Sequence, residues 1–276
     1  MAGVSATTLS LGRLLVPIVA AAVVVVFAGY TYQADLRLVD TSFVTGYVLL
    51  VMMIGLFLLR WRKRLSMVPL GRAAIWLAVH LIGGVLAVAA FWIHTGSLWP
   101  ISVFEQLIAL LFYFVSLSGI FGYVIQRVYP RRLTQTGREI IYERIPAAVG
   151  ELRAVAESLV LECAEKTDSD TLCRYYLETF DWYFRAPRFF FSHATGGARG
   201  EFWARHHCGT VRRYLSTGEL PYLEKLTELL DAKNVVDVHY AGQRMMKVWL
   251  WFHVPTAIGL LILSLWHFLV MNVYGS

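Results

Sequence analysis

Long apolar runs fill the first half of the chain, give way once to a stretch in which apolar positions recur at helical intervals among charged ones, and return near the C-terminus. A hydrocarbon core of roughly 30 Å takes about 20 apolar residues as a helix. Five windows meet that need, approximately 11–30, 43–60, 73–95, 101–126 and 247–272, the second being the shortest. The intervening 127–246 segment reads as helical. "REIIYERIPAAVGELRAVAESLVLECAEK" carries apolar residues three and four apart with Pro146 near its start, and "PYLEKLTELLDAK" opens on Pro221. Between them lies an aromatic-rich stretch, "YYLETFDWYFRAPRFFFSHATGGARGEFWARHHCG", broken by Pro187 and Gly196-Gly197. The pattern predicts an all-α membrane protein: residues 1–126 hold four transmembrane helices, 127–246 form a cytoplasmic helical insert, and 247–276 hold a fifth transmembrane helix with a short outer C-terminus.

Composition agrees with this reading: 57% of residues are hydrophobic, 16% are charged, and the mean hydropathy is +0.56. The first window has a single Arg13 ahead of it and no clean small-residue cleavage site after it, so it reads as a retained span and not as a signal peptide. Basic residues set the orientation. The 60–72 loop carries Arg60, Arg62, Lys63, Arg64 and Arg72, the 31–42 loop has Arg37 against Asp35 and Asp40, and 95–100 is uncharged. By the positive-inside rule the N-terminus, the 60–72 loop and the insert are expected in the cytoplasm and the C-terminus outside, in a bacterial cytoplasmic membrane. The net charge of +6 reflects this asymmetry and gives no indication of nucleic-acid binding, because 127–247 is nearly balanced at 18 basic and 16 acidic residues. Cys163, Cys173 and Cys208 show no CxxC or CxxCH spacing, which points to free thiols and away from covalently attached haem or a Cys-held cluster.

Four histidines lie within apolar windows: His80 and His94 in "HLIGGVLAVAAFWIH", and His253 and His267 in "HVPTAIGLLILSLWH". Each pair is fourteen residues apart. On a helix rising about 1.5 Å per residue this is about 21 Å along the axis, and fourteen steps of about 100° return to within roughly 40° of the same face. Both helices are expected to run from the cytoplasm outwards, which sets His80 level with His253 and His94 level with His267. Polar rings in hydrocarbon are costly, and matched pairs at two depths suit axial coordination of two b-type haem irons. Zinc or copper transport is a poorer fit, since no further Cys, Asp or His on these helices completes a cage.

The paired HX13H helices resemble the haem-binding four-helix bundle of the dihaem cytochrome b family, and are similar to the transmembrane part of ferric reductases and NADPH oxidases. The likeness covers about 43–126 and 247–272. It implies a dihaem four-helix bundle with His80 and His253 on an inner iron and His94 and His267 on an outer one. The chain has no PEWY-type quinol-oxidation motif and no flavin or nicotinamide domain, and the insert is foreign to both families. What the resemblance implies is therefore an electron-carrying subunit of a larger membrane oxidoreductase, working with cytoplasmic or periplasmic redox proteins. Quinone or quinol is the candidate membrane substrate, although no residue identifies it. A non-enzymatic membrane anchor or assembly subunit and a metal-ion transporter are the competing classes.

Several further residues are candidates for supporting roles. Gly83 and Gly84 between the first two histidines, Gly46 and Gly55, Gly119 and Gly122, and Gly259 can keep backbone clear of a macrocycle or serve plain helix contacts. Pro255 is expected to loosen the helix beside His253. Arg72 and Lys247, with Arg64 and Arg244, are candidate partners for inner propionates. On the outer side Thr95, Ser97, Trp99, Asn272 and Tyr274 would have to serve. Trp92, Trp99, Trp249 and Trp251 suit interfacial aromatic belts. Glu105 is the carboxylate inside a span, a candidate for proton exchange or for headgroup solvation. The aromatic stretch of the insert is read as a subdomain core lying on the membrane surface, or as a partner-docking surface. His206-His207-Cys208 is read as surface, because adjacent helical residues point apart.

Overall fold

The computed structural model describes residues 6–57, 73–135 and 140–274, and these are helical with no strand among them. In chain order the helices are α1 (Ala6–Leu36), α2 (Ser42–Phe57), α3 (Ala73–Thr95), α4 (Val103–Gln135), α5 (Ile145–Thr167), α6 (Thr171–Tyr175), α7 (Asp181–Phe184), α8 (Phe190–Thr195), α9 (Arg199–Val211) and α10 (Leu220–Tyr274). A 3-10 turn, Tyr142–Arg144, precedes α5, and a π turn, Tyr176–Phe180, joins α6 to α7. Four of these helices, α1, α3, α4 and α10, are long and apolar enough to cross a membrane, and α2 is a shorter apolar helix of 16 residues. Residues 58–60 of the second window and the basic residues Arg60 to Arg72 lie outside the described residues.

The chain divides into two compact units, 1–123 with 251–276 and 124–250. In the first unit α2 packs against α3, and one buried cluster draws on Leu49 of α2, Ala87, Ala90 and Phe91 of α3, Ala109 and Phe112 of α4, and Leu260 of α10. Phe91 and Phe112 stack with centroids 4.4 Å apart. The outward side chains are apolar too: Val26 is 72% exposed, Leu117 67% and Trp251 81%. Such a surface is tolerated by lipid and not by water, and the helices are those of an integral membrane protein. Local signals account for several boundaries. Asp40 Oδ1 accepts from the Ser42 N–H at 2.8 Å where α2 begins, and Gly96, at φ 62, ends α3 in a left-handed turn that a side chain would strain.

The second unit has an aromatic core. Tyr176, Phe180, Tyr183 and Phe184 fall on one helical face and are buried to 2% exposure or less, against Val160, Leu172, Val211, Leu226 and Leu230. Trp182, Phe191 and Phe202 of the same stretch stay exposed. Its interior is also polar. Lys233 Nζ is wholly buried, 2.6 Å from Asp237 Oδ1 and 3.1 Å from the Ala186 carbonyl, and lies over the Tyr183 ring. Buried Glu219 accepts from the Ser216 N–H and hydroxyl and from the Leu172 N–H, tying the start of α10 to α6. Burial alone would push its carboxyl up; these bonds outweigh that and hold it below the ordinary carboxylate range. The helix expected from Pro221 does not stop before the last span. It runs on as α10 through Pro255 to Tyr274.

Candidate functional site

α3 carries His80 and His94, and α10 carries His253 and His267; all four rings are half-buried. His80 lies within electrostatic reach of His253, and His94 within reach of His267 and of Glu105. The registers of the two helices agree with this. Ala87, midway between the first two histidines, and Leu260, midway between the last two, are buried in the same apolar cluster.

Three of the four rings bond through Nδ1. His80 Nδ1 is 3.1 Å from the Leu56 carbonyl, which can only accept. His94 Nδ1 is 3.0 Å from Thr45 Oγ1, whose single proton is directed to the Thr41 and Ser42 carbonyls at 3.0 and 3.1 Å. The Ser42 carbonyl, another acceptor, also faces His94. His253 Nδ1 is 2.7 Å from Ser118 Oγ, which donates to the Val115 carbonyl at 2.9 Å. At His80 the carbonyl requires the proton on Nδ1 and leaves the lone pair on Nε2; at His94 and His253 the hydroxyl partner accommodates either tautomer. A metal-ligating imidazole carries its proton on the other ring nitrogen, held by a carbonyl or hydroxyl, and the three bonds suit that form. His267 lies beside the Phe104 ring, with centroids 6.2 Å apart.

The glycines divide. A β-carbon on Gly46 would come within 3.0 Å of His94 Cε1, and one on Gly119 within 3.8 Å of His253 Cε1. On Gly83 it would press Leu56 at 2.8 Å, so Gly83 admits a close contact between α2 and α3. On Gly84, Gly55 or Gly259 it would meet nothing within 4 Å. Arg72 and Arg64 lie outside the described residues. Lys247 Nζ is 2.7 Å from Glu143 Oε1 and sits over the Tyr142 ring, while Arg244 reaches the Tyr142 hydroxyl. On the other side Asn272 Oδ1 accepts from Tyr47, Thr95 and Ser97 donate to local carbonyls, and Trp92 donates to Tyr113.

Outside the spans, the His206-His207-Cys208 triplet is only partly surface. His206 is exposed, but Cys208 is buried, and His207 turns inward onto Trp203 with its Nδ1 2.9 Å from the Tyr175 hydroxyl. The reason is that α9 packs its 204, 208 and 211 face into the aromatic core. His193 and His239 are also buried. Among the described residues, no three of His, Cys, Asp and Glu gather as a metal-holding group. Two residues of the site, Thr45 and Ser118, escape the sequence reading. Their signal is a hydroxyl followed by glycine within an apolar run. Compared with family models, curated proteins and solved structures, the chain matches none.

Proposed function

We propose that this chain is a membrane-integral, dihaem b-type electron carrier of the cytochrome b kind, with five spans and a four-helix bundle of α2, α3, α4 and α10. The observation that carries the reading is that His80 lies within electrostatic reach of His253 and His94 within reach of His267, with the Nδ1 of His80, His94 and His253 each bonded to a carbonyl or hydroxyl. Two neutral imidazoles facing one another with Nε2 lone pairs suit both axial positions of a porphyrin iron and leave a bare metal cage incomplete. When bound, two haems would supply one-electron ferric–ferrous couples at two depths. The chain's own work is to hold the rings, fix their tautomers and surround them with apolar packing. Leu49, Ala87, Phe91, Phe112 and Leu260 supply that packing in one buried apolar cluster.

Because the sequence carries no flavin, nicotinamide or iron–sulfur motif, the chain is read as one subunit of a larger oxidoreductase in the bacterial cytoplasmic membrane. Its N-terminus and insert face the cytoplasm, and quinol is the candidate membrane substrate. A second reading is favoured by the same bonds. Thr45–His94 and Ser118–His253 each join two helices, as they would in an anchor or assembly subunit that carries no cofactor.

Single substitutions separate the two. His94→Ala or His267→Ala is expected to remove one of two haems, and His80→Ala or His253→Ala the other, as counted by pyridine haemochrome per chain. An equal haem count in all four variants and the parent would contradict the pairing.

A further inference from the structure

Two dipeptides on different helices treat two of the histidines alike. Thr45-Gly46 on α2 meets His94 of α3, and Ser118-Gly119 on α4 meets His253 of α10. In each, the hydroxyl bonds the Nδ1 side of the ring, at 3.0 and 2.7 Å, while the following glycine lies against the Cε1 edge of that same ring. Each hydroxyl also lies within hydrogen-bond distance of a carbonyl of its own helix, and donating there turns its lone pairs to the imidazole. The contact is closest at Gly46, where a β-carbon would stand 3.0 Å from Cε1 and force the ring to turn; at Gly119 the corresponding distance is 3.8 Å, ordinary contact. Thr45 is 2% exposed, so a hydrogen bond lost there is not replaced by water. One histidine of each neighbouring pair is held in this way: His94, within electrostatic reach of His267, and His253, within reach of His80.

We propose that Thr45-Gly46 and Ser118-Gly119 are hydroxyl–glycine clamps, positioning residues that set the tautomer and ring plane of one axial ligand at each level and thereby tune the two irons separately. The proposal rests on the dihaem reading. An imidazole whose Nδ1–H is bonded is a stronger donor at Nε2, which favours ferric iron and lowers the potential of that centre. Removing the acceptor reverses this at one level only, since each clamp touches a single ring.

The test uses the full chain in detergent, with potentiometric titration of both midpoints, EPR of the ferric state, and haem content. Thr45→Val is expected to raise the midpoint of the centre that His94→Ala abolishes, by up to about tenfold in the ferrous-to-ferric ratio, about 59 mV for one electron. Ser118→Ala is expected to raise the other midpoint. Thr45→Ser keeps the hydroxyl and restores the parent value, and Gly46→Ala alters the EPR signal of the same centre as Thr45→Val. If Thr45→Val fails to assemble, assembly of Thr45→Ser with parental midpoints still supports the hydroxyl's role, and failure of Thr45→Ser overturns it. Two haems with unchanged midpoints and EPR signals in Thr45→Val and Ser118→Ala would overturn the clamps and leave the dihaem reading standing. Haem-free protein would overturn the reading itself and the clamps with it.

Discussion

Gly200 and His193 illustrate how tightly individual positions in the 124–250 unit are defined. A β-carbon on Gly200 would lie 2.7 Å from Asn234 Oδ1 and 3.0 Å from His193 Cε1 and Nε2, with His193 4% exposed. Gly200→Ala is expected to cost about 1–3 kcal/mol by overpacking, read as a lower thermal unfolding midpoint. The His193 imidazole is held below its ordinary range by burial and then by nearby Lys233. Its folded-state pKa lies under the unfolded value of about 6.5, so its contribution to stability is complete above that value and is lost as pH falls through the lower folded one. Burial pushes the Asp237 carboxyl up to about 6 against the pull of Lys233, which acts in the opposite sense: that contribution is lost as pH rises through about 6. Subtracting His193→Leu from the parent at each pH isolates the histidine, and the difference in unfolding midpoint is expected to shift against the parent between pH 7 and 5. A flat difference would contradict a buried neutral ring. None of this is visible in the sequence, where Ser192 separates His193 from three phenylalanines and nothing marks it as interior. Thr45 and Ser118 are hidden for a related reason, since a hydroxyl in an apolar helix most often bonds its own backbone, and these two do that as well as reach a neighbouring ring.

At the scale of elements, a helix of fixed pitch converts the fourteen-residue HX13H spacing into one face and one height difference, and His80 lies within electrostatic reach of His253 as His94 does of His267. The helix ends were less legible. Pro255 does not interrupt α10, and the helix begun at Pro221 continues through the charged 224–247 stretch into the last apolar run. In that stretch Lys233 and Asp237 form an i,i+4 pair that reads as a solvated face but is wholly buried. Removing one partner strands the other charge inside, so Lys233→Met is expected to destabilise the unit by about 3–5 kcal/mol, and Lys233→Met with Asp237→Leu by much less. Chemical unfolding of the two variants side by side decides it; a double variant that loses as much as Lys233→Met or more would contradict a stranded charge as the cause. The aromatic run 175–203 divides for a reason composition does not carry. The π turn at Tyr176–Phe180 brings Tyr176, Phe180, Tyr183 and Phe184 onto one inward face and leaves Trp182 outside.

For the whole molecule, apolar helices with apolar outer surfaces were predictable from hydropathy alone, since few other environments accept them. The chemistry proposed for them depends on a single relation, two pairs of imidazoles that would each offer Nε2 to an iron. A reduced-minus-oxidised optical spectrum of the purified full chain, with haem and protein quantified in the same sample, tests that relation most directly. The account predicts b-type α bands and two haems per chain, one lost with His94→Ala and the other with His80→Ala. A colourless preparation, or one whose pigment survives loss of all four histidines, would contradict it.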